Sequence, residues 1–193
     1  FMPWTAIEMN EFNQNTAATG VIMQVQGGSS TQEFEIRADE YEENRHYFLA
    51  QYFYDNYNKA MSTLPVVNSN IKIIRLEVWR TNVGAAVTQN RNILALTDLG
   101  ENNPSNSRFA GMGTALPSNG SNNMLGIINT SAVRDINAVT NYMQGMGLTS
   151  GTDYEKVQSA RLLNSNEYTF NSQLGFISLT QPLANDQVLA VAF

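Results

Sequence analysis

Cysteine is absent and histidine occurs once, at His46. The first absence removes disulfides, zinc–thiolate sites and thiol nucleophiles together. The second leaves catalytic triads and zinc centres short of the imidazoles they need. Positive charge is scarce too: 11 Lys and Arg stand against 17 Asp and Glu, a formal net charge of −6. Nucleic-acid binding rests on neutralising phosphates with cations, so this balance argues against it. No apolar run approaches the ~20 residues a membrane-crossing helix needs. The opening residues, FMPWTAIEM, lack the basic start of a secretory leader.

What is present suits one ordinary domain. A chain of 193 residues buries roughly 70% of the surface its unfolded form exposes, so a core forms without staples. Asparagine is unusually common, at 24 residues, as in loop-rich secreted proteins. Asn119-Gly-Ser and Asn129-Thr-Ser fit the glycosylation pattern, at the frequency such a composition produces by chance. The last stretch, VLAVAF ending at Phe193, reads as a strand with no polar tail. It predicts that residues 1–193 are a single soluble α+β domain excised from a longer chain.

The stretch from Glu33 to Leu99 organises the rest. It reads as a short strand (33–38), a long aromatic helix (44–64), and two strands (71–81 and 92–98) that form an antiparallel pair. On the helix, Leu49, Phe53, Ala60 and Leu64 share one stripe. Tyr47, Tyr54 and Tyr57 widen the apolar surface with phenol tips that reach water. Asp39 or Asn44 supplies its cap and Pro65 ends it. In the strand IKIIRLEVWRT the apolar phase slips between Ile73 and Ile74, which predicts either burial on both faces or a β-bulge. The strand at 92–98 is apolar on both faces, as a central strand is.

On either side the pattern is plainer. Thr19 to Gln26 alternates as a strand and forms a hairpin with 33–38 across Gly27-Gly28-Ser29-Ser30. Residues 100–123, rich in Gly, Asn, Ser and Pro, predict a long surface loop. A short strand at 124–128 follows. Then comes a helix over 131–144 with Val133, Ile136, Val139 and Met143 at helical spacing, stopped by Gly145 and Gly147. Thr152-Asp-Tyr-Glu155 reads as a capping box for a helix to Leu163. EYTF, FISL and VLAVAF complete the chain as three strands, with turns at Leu174-Gly175 and Asn185-Asp186.

Each candidate for chemistry has a structural reading that outweighs it. His46, alone on an aromatic segment, is a packing or hydrogen-bonding residue. The acidic group Glu33, Glu35, Asp39, Glu40, Glu42 and Glu43 offers oxygen ligands for calcium. It lacks EF-hand spacing, and acids ahead of a helix also complement its dipole. Gly111-Met-Gly113 is followed by no Gly-Lys-Ser/Thr, so it is a loop and not a phosphate cradle. Sugar-stacking platforms use a few exposed rings, whereas this helix carries rings on most sides and reads as core. Paired carboxylates for hydrolysis leave no sequence mark, and no pair stands out.

Three segments then carry a resemblance: NRHYFLAQYFYDNYNKAMSTLPVVNSNIKIIRLEVWRTN, RNILALTDLGE and ARLLNSNEYTFNSQLGFISLTQPLANDQVLAVAF. They resemble the SprA/Sov family of very large outer-membrane proteins of Bacteroidetes, involved in gliding motility and type 9 secretion. The resemblance covers Glu33 to Glu101 and Ser159 to Phe193, and leaves out the first thirty residues and the loop at 100–123. It implies a soluble domain of a giant secretion barrel, associated with the outer membrane on its periplasmic or extracellular side. Its partners would be other parts of the same chain, accessory secretion proteins or cargo, with no nucleic acid and no membrane span of its own. The family supplies no catalytic, cofactor-binding or metal residues, and none is assigned.

The fold expected is α+β, a mostly antiparallel sheet with the aromatic helix and the 131–144 helix packed on one face. The expected role is non-catalytic, in structure and protein interaction. The alternative is a surface glycan- or calcium-binding module. A hydrolase would require a cleft holding two carboxylates.

Overall fold

A computed structural model of the protein describes residues 21–27, 30–37, 40–84, 89–114 and 116–193. The described fold is α+β, with every strand pairing antiparallel. β1 (Val21–Gly27) and β2 (Ser30–Ile36) form a two-stranded hairpin, with Val21 opposite Ile36 and Gly27 opposite Ser30. Period-two alternation around a glycine turn anticipated it. Thr19 and Gly20, expected as the start of this strand, lie outside the described residues, as does the rest of the 1–20 segment.

Two further sheets build the body. β3 (His46–Phe48), β8 (Phe176–Leu179) and β7 (Tyr168–Asn171) form one, in that order. β5 (Asn90–Leu96), β6 (Tyr154–Leu162), β4 (Glu77–Arg80) and β9 (Leu189–Ala192) form the other. The three C-terminal strands and their turns at Leu174-Gly175 and Asn185-Asp186 stand where sequence places them. β4 and β5 do not pair with each other. β6 lies between them, and among the described strands β5 stands at the edge, not in the centre as its apolar residues suggested.

β6 corrects the capping-box reading of 152–163. Tyr154, Val157, Ala160 and Leu163 are buried at a three-residue spacing that imitates a helix. The strand produces that spacing by a β-bulge. Arg91 faces Ala160 and Ile93 faces Val157, so Gln158 and Ser159 together oppose Asn92. Ser159 takes φ +53°, and its N–H donates to Asn92 Oδ1 at 3.0 Å. One extra residue shifts the phase, so Val157 and Ala160 point to the same side.

That phase shift lets the four-stranded sheet bury both faces. Val157, Ala160, Trp79 and Ala190 pack in one cluster. Leu163 joins Val78 and Leu189 in another, with Tyr47, Phe48, Leu49, Phe53, Ile73, Ile177 and Leu179. Adjacent residues Val78 and Trp79 are therefore both buried, and the two-sided reading of the slipped strand holds for β4. The alternative of a bulge at Ile73-Ile74 does not. Residues 71–76 form no ladder; Ile73 donates its N–H to Ser172 O at 2.8 Å, and Ile74 stands 93% exposed.

The aromatic helix is shorter than its pattern. α1 spans Gln51–Met61, and its first expected turns are β3 and a bend. Tyr47, Phe48, Leu49 and Ala50 are buried in succession. No helical stripe buries four consecutive residues, whereas a strand against β8 followed by a bend does. Phe53 and Ala60 keep the expected stripe, while Leu64 is exposed. The segment at 124–128 is a helical turn, α2 (Met124–Ile128), and not a strand. Met124 and Ile128 are both buried at a spacing of four, and Asn122 Oδ1 receives the Met124 N–H at 2.9 Å. The 131–144 helix divides into a 3-10 turn, Ser131–Arg134, and α3 (Val139–Gly145), with Gly147 at φ +76° beyond its end. α2 and α3 pack with Phe109, Leu148 and Tyr154 in a third cluster, separate from that of α1.

The Phe53 ring sits directly on Gly175, which has φ +64°; a Cβ there would lie 2.1 Å from Phe53 Cγ. Gly175→Ala combines strain with overpacking and should cost about 3 kcal/mol or more. Gly126, in α2, meets nothing within 4 Å, so Gly126→Ala should gain up to about 1 kcal/mol from helix propensity. Urea midpoints with unchanged slopes check both.

Candidate interaction surface

His46 acts as a strut. From β3 its Nδ1 lies 2.8 Å from Ser178 Oγ on β8, and its Nε2 lies 2.7 Å from Glu42 Oε2. Glu42 also pairs with Arg45, whose guanidinium donates to the Leu179 and Thr180 carbonyls at 3.1 and 3.0 Å. The His46 hydrogen bond, helped by Arg45, holds the Glu42 carboxyl below its ordinary range. Both imidazole nitrogens are committed to fixing this turn, which is the hydrogen-bonding role expected of a lone histidine.

The described members of the acidic group do not converge. Glu42 is engaged as above, and Glu40 accepts the Arg37 N–H at 3.3 Å. Asp39 and the side chains of Glu33 and Glu35 lie outside the described residues. Among the described residues no three His, Asp or Glu side chains gather where a metal ion could be held. The helix-dipole reading needs correction as well, because these acids precede β3 and α1 begins only at Gln51.

α1 takes its cap from a distant carboxylate. Its N-cap residue is Ala50, not the expected Asp39 or Asn44, and Ala50 supplies no side-chain cap; Asp39 lies outside the described residues. Glu101 Oε1 instead accepts the Gln51 N–H at 2.9 Å. Burial raises the Glu101 carboxyl above its usual range, and Asp98 and Asp55 add like charge.

Glu101 opens the loop at 100–123, which is pinned along its length. Asp98, buried, accepts Ser105 Oγ at 2.6 Å and the Asn106 N–H at 3.0 Å. The buried Asn122 amide donates to the Asp98 and Glu101 carbonyls, both at 2.7 Å. Gly111 bridges to Asn122, and a Cβ there would lie 2.0 Å from the Asn102 carbonyl oxygen. Close backbone packing accounts for that glycine without any phosphate.

The rings divide between core and surface. Phe48 is buried and surrounded edge-on by Tyr54, Tyr57 and Phe176 at 5.7, 5.6 and 6.4 Å between centroids. Tyr52 and Tyr57 also border an open depression of about 210 Å³, with Asn56, Lys59, Asn70 and Gln173 at its edges. No carboxylate lines it, so this depression has none of the paired acids that glycoside hydrolysis uses.

A two-pronged ion pair was not marked by sequence pattern. Arg161, in β6, donates through Nη1 and Nη2 to Glu167 at 2.7 and 2.6 Å. The Asn164 N–H and side-chain amide add bonds to the same carboxylate. Arg161 and these donors, against partial desolvation, bring the Glu167 carboxyl down to about 2. An Arg and a Glu flanking Asn-Ser-Asn would have been the sequence sign, since that turn brings its two ends together.

A family model described as motility related/secretion protein matches residues 5–183. No curated protein matches the chain.

A carboxyl lowered on folding stabilises the fold above its unfolded value and loses that effect as protons bind. Glu167→Gln should therefore cost about 1–2 kcal/mol near neutrality, discounted for partial exposure. Its difference from the natural protein should shrink as pH falls from 4.5 toward about 2. Urea titrations across that range measure it. For Glu101 the sign reverses: a raised carboxyl favours folding in its protonated form, and that contribution declines as pH rises through its folded value. Glu101→Ala should lose about 1 kcal/mol of capping at neutral pH. Glu101→Gln, which keeps an acceptor oxygen and carries no charge, should lose less in the same unfolding measurement.

Proposed function

Because the chain belongs to the SprA_N family of motility-related and secretion proteins, we propose that it is a non-catalytic structural and protein-interaction domain of an outer-membrane secretion translocon. The system we infer is type 9 secretion, which also serves gliding motility in Bacteroidetes. The observation that carries this reading is the family match itself, which runs through 5–183 and so includes the loop and most of the N-terminal segment. The candidate groups support it. His46, Glu42, Glu101 and Glu167 are each engaged in holding backbone or a neighbouring side chain in place. No helix among the described residues is long and apolar enough to cross a membrane.

On this reading the chain is one domain at the cell envelope, held against other parts of its own translocon and touching accessory proteins or cargo. Both main helices are read as covering the same face of the four-stranded sheet. Tyr154 and Leu163, which join the clusters of α3 and α1, project away from Val157 and Ala160 once the bulge is counted.

Affinity capture from native envelope membranes, with the tag on the parent protein, tests the partner claim. Other secretion components should co-purify, and fewer should do so when Gly175→Ala loosens the domain. Recovery of none with the natural sequence would overturn it.

A further inference from the structure

Among the 24 asparagines one alone precedes a glycine, Asn119-Gly120. The pair forms the centre of a turn over 118–121, closed by the Ser121 N–H donating to the Ser118 carbonyl at 3.0 Å. Both residues are exposed, and the Asn119 side chain has no hydrogen bond among the described residues. The Gly120 N–H makes a long bond to Ser118 Oγ, at 3.3 Å. Around the pair the turn is pinned. The buried Ser121 donates its hydroxyl to the Leu116 carbonyl at 2.6 Å, and its own carbonyl takes the Met112 N–H at 2.8 Å.

An asparagine amide beside a glycine is open to attack by the chain itself, because glycine has no Cβ to shield its nitrogen or restrict its approach. Serine shields only a little more. In the Asn-Ser pairs at Asn106, Asn164 and Asn171, however, the asparagine side chain is tied in hydrogen bonds. Asn119 combines the unshielded neighbour with a free side chain.

We propose that Asn119 is a site of self-modification by the backbone. The Gly120 nitrogen bonds to Asn119 Cγ, the Cγ–Nδ2 bond breaks, and ammonia leaves with the proton that the attacking nitrogen gave up. Water then opens the imide ring. Its attack at Cγ returns an aspartate on the ordinary backbone, and its attack at the Asn119 main-chain carbonyl carbon leaves an isoaspartate, one backbone methylene longer. Either product adds a negative charge to a chain already at −6. The longer backbone breaks the closure between Ser118 and Ser121 and with it the hold on Met112, whereas aspartate leaves both in place. The modification stands on this turn and does not require the translocon reading.

Peptide mapping by mass spectrometry tests it on the folded protein incubated at mildly alkaline pH. Asn119 should lose its amide before any other asparagine, giving both isoaspartate and aspartate. Gly120→Ala should slow the loss about tenfold or more. A Cβ there meets only Ser118 Oγ, at 3.8 Å, and φ lies outside the left-handed region, so the variant keeps the turn. In the chromatographically separated isoaspartate form the Met112 N–H should exchange with deuterium about tenfold or more faster, while Asn119→Asp should leave it unchanged. An Asn119 that stays intact, or that reacts after Asn68 or another asparagine, would overturn the site, as would an undiminished rate in Gly120→Ala. Aspartate without isoaspartate would overturn the backbone attack. Equal Met112 exchange in the isoaspartate and unmodified forms would overturn the loosening of the turn.

Discussion

The bulge at Ser159 is the constraint on which the body of this protein depends. A regular β6 would send Val157 and Ala160 to opposite faces. With Gln158 and Ser159 both opposite Asn92, they reach the same side and meet Trp79 and Ala190. Tyr154 and Leu163 are then free to anchor the clusters of α3 and α1. One non-glycine residue in the left-handed region, tied by its N–H to Asn92, holds two core layers in phase. The strain is local, and the burial it permits is spread over four strands.

That device also explains where pattern reading succeeded and failed. The N-terminal hairpin and the strands at 168–171, 176–179 and 189–192 were legible because each alternates simply and ends at a turn residue. β6 was not legible, since a three-residue repeat of burial is the signature of a helix, and the bulge that converts it to a strand depends on Asn92, far away in sequence. β5 was misplaced for a related reason. Its apolar residues meet cores on both sides, so burial alone did not reveal an edge position. β3 hid inside the aromatic run because Tyr47, Phe48 and Leu49 suit either element until their partner β8 is known. At α2, five residues are too few for periodicity to choose between a strand and a helical turn.

The candidate surface follows the same division. His46 was legible as a hydrogen-bonding residue because a single imidazole has few other uses. The Arg161–Glu167 pair and the Glu101 cap were not, because each depends on which strands or loops become neighbours. Family membership was readable from long strings on either side of the polar loop, and the family match extends through that loop as well.

Glu101 has a wider consequence. Its carboxylate closes the first turn of α1 while Asn122 binds its carbonyl from the far end of the loop. Order in the loop and order at the helix start are thus one cooperative unit spread over a long separation in the chain. Anything that grips or releases the loop would be felt at the aromatic cluster beneath Phe48, giving a polar surface segment mechanical leverage over the interior.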